Sequence, residues 1–201
     1  MGRSKATVPF LGEPLLLRGV RRLLPLADEF LITTNEPQNL GFLDDYVKQG
    51  KIRLVRDISD VRGALHGVHT ALEAASNPFV AMVACDMIFP SRNLISAELT
   101  GLKREGTDAA VPKTQFGYEP FHGVYRKDSC LPAVIEALDE GQTRATSWFD
   151  KIRVTDFTPD MIAEVEPRGG CFINTNTPEQ LAEMERKILE GDVCERESYA
   201  S

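Results

Sequence analysis

Apolar residues recur at helical spacing from Leu15 to Leu24, with Arg18, Arg21 and Arg22 between them. The next segment, Glu29 to Thr34 (EFLITT), is short, β-rich and bounded by turn residues. This pattern predicts a helix followed by a strand, and the alternation then repeats. Helices are expected at Leu40 to Gln49, Val61 to Ala75 and Arg92 to Arg104, with strands at Ile52 to Arg56 and Phe79 to Ala84 between them. FVAMVA is apolar on both faces, the signature of a central strand in a parallel sheet covered by helices. Further strands are predicted at Asp108 to Pro112, Pro120 to Tyr125 and Cys171 to Thr175, and a helix at Leu131 to Glu140. A last helix opens at Thr177-Pro178-Glu179, where Thr177 can cap and Pro178 sits at the first helical position, its missing N–H harmless there.

The whole reads as an α/β/α three-layer fold, Rossmann-like, with a mostly parallel central sheet. No repeat or linker divides the chain, so residues 1–190 are expected to form one domain and 191–201 a flexible polar tail. One feature is out of step: the helix at Leu15 has no strand before it, although every later helix in the first half does. A parallel sheet lacking an inner strand leaves ladder edges unpaired. The expectation is a first strand missing from this sequence and a natural chain that begins upstream of Met1.

Composition narrows the function. At 201 residues with 42% hydrophobic content, one substantial core is expected. A net charge of −7 argues against a broad phosphate-neutralising surface, and so against nucleic acid as a partner. A small anionic ligand needs only one or two well-placed cations. Cys85, Cys130, Cys171 and Cys194 are far apart and form no C-x-x-C pair, so reduced, buried thiols are expected. No apolar run approaches the ~20 residues that span a bilayer, and no signal-peptide pattern opens the chain. A cytoplasmic protein without a membrane partner is expected.

Several residues are placed for chemistry. Lys5 stands in an opening loop before the Gly12-Glu13-Pro14 turn; it is positioned to neutralise a triphosphate, although lysines near a terminus are usually solvated surface groups. Asp86 directly follows FVAMVAC, at the strand end where open α/β sheets place ligand crevices. A carboxylate there can hold magnesium that keeps waters and binds substrate phosphates, or it can merely cap a turn. Asp57 ends IRLVR and Asn35 ends EFLITT, so three strands bring Asn35, Asp57 and Asp86 to one edge of the sheet. Gly63 and Gly67 permit either close backbone approach to a flat base or tight helix packing. Asn174 and Asn176 alternate at a strand end and share a face. His66, His69 and His122 have no ligand spacing in common.

Taken in order, MGRSKA, the G-x-P-L-L turn, TTN after a strand, V-x-D followed by G-x-L-x-G, ACDM-x-F, EPFHGVY and FINTNTPEQL resemble the molybdenum cofactor guanylyltransferases from about Met1 to about Glu185. Each piece is short, and the order and spacing carry the resemblance. It implies a nucleotidyltransferase that moves GMP from GTP to molybdopterin-bound molybdenum with magnesium. By resemblance, Lys5 contacts the triphosphate, Asn35 and Asp57 bind nucleotide, Asp86 binds the metal, and the backbone at Gly63 and Gly67 meets the guanine. EPFHGVY and the turn bearing Asn174 and Asn176 resemble the part facing molybdopterin. GTP and molybdopterin are the implied substrates, with molybdoenzymes or cofactor-delivery proteins as partners. The family opens with a β-strand and a glycine-rich phosphate loop, of which Met1-Gly2 here is already the end. Two other readings stay open: a cytidylyl- or sugar-phosphate nucleotidyltransferase of the same fold, and a nucleotide- or pterin-binding module without turnover.

Overall fold

The computed structural model describes residues 7–59, 61, 63–167, 170–172 and 177–190. A hairpin of β1 (Pro9–Phe10) and β2 (Glu13–Pro14) turns through Leu11 and Gly12, both with positive φ. That is the backbone twist two-residue hairpins favour. Then come α1 (Leu15–Leu23), β3 (Leu31–Thr33), α2 (Asp44–Lys48) entered through a 3-10 stretch at Pro37–Leu43, β4 (Arg53–Val55) and α3 (Ala64–Ala74). They are followed by β5 (Phe79–Val83), α4 (Arg92–Glu105), β6 (Ala109–Thr114), β7 (Gly117–Tyr118), β8 (His122–Arg126) and α5 (Lys127–Asp139). The last elements are β9 (Val154–Phe157), α6 (Pro159–Val165) and α7 (Pro178–Leu189).

The helices at 15, 64, 92 and 178 lie close to where apolar spacing predicts them. β7, β9, α6 and the opening hairpin were not anticipated. The expected strand at Cys171 to Thr175 is a turn at 171–172, and its remainder lies outside the described residues.

The sheet departs from the parallel expectation. β3 and β4 pair in parallel as a two-stranded ladder. The other strands form a five-stranded sheet in the order β5-β8-β6, with β9 parallel to β6 and β7 antiparallel to it. β8 runs against both β5 and β6, so the sheet is mixed. Chain length explains the reversal. A parallel crossover takes a dozen or more residues, whereas β6 is followed at once by the β7 hairpin and then β8. β5, read as central, makes its only ladder among the described residues with β8, and β3 makes its only ladder with β4.

Three layers follow from the alternation along the strands. Ala109, Val111 and Tyr125 face α3 and α5, packing with Leu65, Val68, Leu72, Val134 and the fully buried Trp148. Ala110 and Val124 face α4 and α6, against Leu94, Ile95, Leu102 and Ile162. Gly123 is required by the close approach of β6, because a Cβ there would lie 3.1 Å from the Ala110 carbonyl oxygen. A separate cluster of Leu16, Val20, Ile32, Leu43 and Ile52 joins α1 to β3 and β4. Among the described residues, no helix is long and apolar enough to cross a membrane.

Candidate functional site

Asn35 and Asp57 meet at the ends of adjacent parallel strands. Register sets this: Thr33 pairs with Val55, and Thr34 N–H donates to the Val55 carbonyl at 2.8 Å, so the next residues emerge side by side. Asn35 Nδ2 donates to Asp57 Oδ2 at 2.8 Å, and Asp57 N–H donates back to Asn35 Oδ1 at 3.3 Å. The pair leaves Asp57 Oδ1 as a further acceptor. The loop after Asp57 is tied to α3, where Ile58 N–H donates to the Thr70 hydroxyl at 3.2 Å and that hydroxyl donates to the His66 carbonyl at 3.0 Å.

The two glycines differ. Gly63 is extended and caps α3; a Cβ there would come within 3.2 Å of the His66 ring, so packing favours a small residue there. Gly67 has no heavy atom within 4 Å of an added Cβ, so helix packing does not require it.

Asp86 is half-buried in the turn after β5, on a segment anchored along its length. Ala84 N–H donates to the Phe121 carbonyl at 3.0 Å, and Met87 N–H to the Ala84 carbonyl at 3.3 Å. Arg22 Nε donates to the Pro90 carbonyl at 2.5 Å, and Ser91 N–H to His122 Nε2 at 3.1 Å. Met87 and Ile88 on either side are buried. The Phe121 bond joins this segment directly to EPFHGVY, where Tyr125 donates from its hydroxyl to the Pro120 carbonyl at 2.7 Å. Burial raises the Glu119 carboxyl above its ordinary range.

Lys5, Asn174 and Asn176 lie outside the described residues. Thr177 does cap α7, in a reciprocal capping box with Gln180. Cys130 and Cys171 are buried, and burial pushes each thiol up to about 12; Cys85 is exposed, contrary to expectation. Among the described residues, no group of three or more His, Cys, Asp or Glu side chains could hold a metal ion. Sequence reasoning missed Arg22 and Thr70 as anchors and Glu98 as a buried acid. Only Glu98 carried a signal, a charge on the apolar stripe of Leu94, Ile95 and Leu102.

A family model described as the MobA-like NTP transferase domain matches residues 1–155. The chain belongs to this family. It is therefore an enzyme of the nucleotidyltransferase class. A molybdenum cofactor guanylyltransferase of Desulfosudis oleivorans is 28% identical over 96% of this chain and 91% of its own length. A probable molybdenum cofactor guanylyltransferase of Carboxydothermus hydrogenoformans is 29% identical over 89% and 85%. Molybdopterin-guanine dinucleotide biosynthesis protein A of Archaeoglobus fulgidus shares the fold with TM-score 0.78 at 18% identity, covering 96% of this chain and 93% of its own. The 4-diphosphocytidyl-2C-methyl-D-erythritol synthase of Anaerococcus prevotii shares it with TM-score 0.69 at 13% identity, over 92% and 93%. The expected nucleotidyltransferase fold is thus met, in a mixed rather than a mainly parallel sheet.

Proposed function

We propose that the protein transfers GMP from GTP to the terminal phosphate of molybdopterin carrying molybdenum, forming the guanine dinucleotide cofactor. The observation that carries this reading is the contact between Asn35 and Asp57 at two parallel strand ends, in a chain that aligns along nearly its whole length with named guanylyltransferases. An acceptor phosphate oxygen forms a bond to the α-phosphorus of GTP, and the bond from that phosphorus to the bridging oxygen breaks, releasing pyrophosphate. The attacking phosphate is already an anion near neutral pH, so positioning and charge neutralisation supply the catalysis.

In this reading Asn35 and Asp57 bind the nucleotide, with the backbone at Gly63 and Gly67 against the guanine and Lys5 beside the leaving pyrophosphate. Asn174, Asn176 and EPFHGVY face molybdopterin. Magnesium fits Asp86, because a half-buried carboxylate on an anchored turn gives one hard oxygen ligand and this ion takes its other ligands from water and phosphates. Bound there, it would neutralise charge between the phosphate oxygens. The reaction would take place in the cytoplasm, with the product passing to molybdoenzymes or cofactor-delivery proteins.

The test incubates the protein with molybdenum cofactor, magnesium and either GTP or CTP, and follows pyrophosphate and dinucleotide. Guanine dinucleotide formed from GTP in clear preference to CTP is the expected result. Better use of CTP would make it a cytidylyltransferase, and equal use would reject guanine selectivity. Release of no pyrophosphate from either nucleotide would refute transfer to this acceptor.

A further inference from the structure

Beneath the Asp86 segment lies a buried polar cluster to which the reaction above assigns no work. His122 and Glu98 are both fully inaccessible. His122 Nε2 receives the Ser91 backbone N–H at 3.1 Å, and His122 Nδ1 lies 3.3 Å from Glu98 Oε1. The Ser91 hydroxyl accepts the Leu94 N–H at 3.0 Å, capping α4, and donates to the Glu166 carboxylate beyond α6. The Phe172 ring stands edge-on to the imidazole, 5.6 Å between centroids. Among the described residues, Glu98 Oε2 is buried with no hydrogen-bond partner.

The backbone donor decides the proton positions. An amide N–H can only donate, so His122 Nε2 must keep its lone pair and the imidazole must be neutral, with its proton on Nδ1 pointing at Glu98. An imidazolium could not accept from Ser91. The geometric ion pair between His122 and Glu98 is therefore a hydrogen bond from a neutral ring. Burial acts in the same sense on both partners, lowering the His122 imidazole to about 4 and raising the Glu98 carboxyl.

We propose that His122, held in its Nδ1–H form by Glu98, is a positioning residue that fixes the Asp86 turn by accepting the Ser91 N–H. This rests on the guanylyltransferase reading, which makes Asp86 the magnesium ligand. The segment from Ala84 to Ser91 is tied at its start to Phe121, at Pro90 to Arg22 and at Ser91 to His122. Phe121 and His122 are consecutive, so one short stretch of EPFHGVY grips both ends of the segment. The strand and the turn are thus tied together at both ends of the segment. Among the described residues, Glu98 on α4 meets the ring, Glu166 beyond α6 meets the Ser91 hydroxyl, and Cys171 in the turn that follows feels both carboxylates.

The first experiment needs no variant. Long-range nitrogen–proton NMR of the imidazole should find His122 neutral and protonated at Nδ1 from pH 8 down to roughly pH 5, below the ordinary histidine range. A proton on Nε2, or an imidazolium at about pH 6, would overturn the clamp.

The second experiment compares His122→Leu, which keeps the bulk and loses the acceptor, with His122→Gln, whose carbonyl oxygen can replace Nε2. In the Leu variant kcat should fall by about tenfold or more. Its magnesium requirement should rise, while KM for GTP changes by less than about twofold, because Asn35 and Asp57 follow the strands of the separate β3–β4 ladder. Gln should restore most of kcat. Leu kinetics equal to wild type, or a loss confined to KM, would refute the proposal while leaving the reaction intact. A wild-type protein that transfers no GMP would refute the reaction, and the NMR result would still judge the clamp. Should His122→Leu fail to fold, the wild-type NMR measurement and the Gln variant remain decisive.

Discussion

Asp86 can be a turn residue or a metal ligand, and Asp86→Asn separates the two. Asparagine ranks with aspartate as a cap, so a structural role would survive the change, whereas the charge that makes a hard ligand would not. The expected outcome is an unchanged melting temperature with kcat reduced about a hundredfold, equivalent to about 3 kcal/mol in the barrier. Retention of more than about half of the wild-type rate at limiting magnesium would remove Asp86 from the metal site. Glu98 makes a different prediction. Its folded carboxyl is raised by burial, so the unfolded chain ionises it first as pH rises above the ordinary 4.5, and its cost is absent below that value and grows above it. Glu98→Gln should therefore gain melting temperature relative to wild type at pH 8 but much less at pH 4.5; an offset equal at both values would contradict it. His122 acts from the acid side: lowered to about 4, it destabilises the fold progressively as pH falls from 6.5, by about 3 kcal/mol in all. Asp86 follows β5, in a different ladder from the β3–β4 pair that carries Asn35 and Asp57, so the expected single sheet edge is not what joins them. The strand-end positions of Asn35, Asp57 and Asp86 were legible in the sequence because polar residues there stand out locally. The work of Glu98 was not, because its partner lies 24 residues away on another element.

Periodicity found the long elements because apolar stripes are local. α1, α3 and α4 bury Leu16 and Val20, Leu65 and Leu72, and Leu94 and Leu102 at the spacings that predict them. β9 escaped notice because only four residues form it and its buried positions are Thr155 and Phe157, a polar residue and an apolar one. Thr155 is held there by the Thr107 hydroxyl at 2.7 Å and by Glu105, partners that no local pattern reveals. α6 did carry a local mark: Thr158 caps it and Pro159 occupies its first turn, the same device read correctly at Thr177 and Pro178. The meeting of β6 and β8 gives a test at this scale. Gly123 has the Ala110 carbonyl oxygen 3.1 Å and Val111 Cγ2 3.2 Å from where a Cβ would stand, and the first is backbone in the centre of the sheet. Gly123→Ala gains little, since glycine's entropic cost in a strand is only about 0.5–1 kcal/mol, and it forces strands apart in a packed core. A net loss of about 1–3 kcal/mol in denaturant unfolding is expected. An unchanged midpoint would mean that the two strands part freely.

For the whole molecule, layer order and the parallel run of β3 beside β4 were readable and the direction of β8 was not. Alternating helices and strands predict three layers, but the reversal of β8 depends on a two-residue strand pair at Lys113–Thr114 and Gly117–Tyr118 that periodicity is too coarse to see. Net charge also acts at this scale. The chain carries −7, yet the proposed ligand is an anion. At physiological ionic strength charges are screened over about 8 Å, so distant acids matter little and the residues lining the site decide. Binding should therefore appear as ligand-linked stability. A nucleotide present at ~100 times its dissociation constant stabilises the folded state by about 2.7 kcal/mol. In a chain of this length each kcal/mol moves the melting temperature by about 2–4 °C, so GTP with magnesium should raise it by about 5–10 °C. CTP at the same concentration should give less than about half of that shift if the site reads guanine. Asp57→Ala should melt like wild type without nucleotide, because the bond it loses is an exposed one to Asn35, and should lose most of the GTP shift. Equal shifts with GTP and CTP would reject guanine selectivity. An undiminished GTP shift in Asp57→Ala would move the nucleotide away from the strand ends where Asn35 and Asp57 meet.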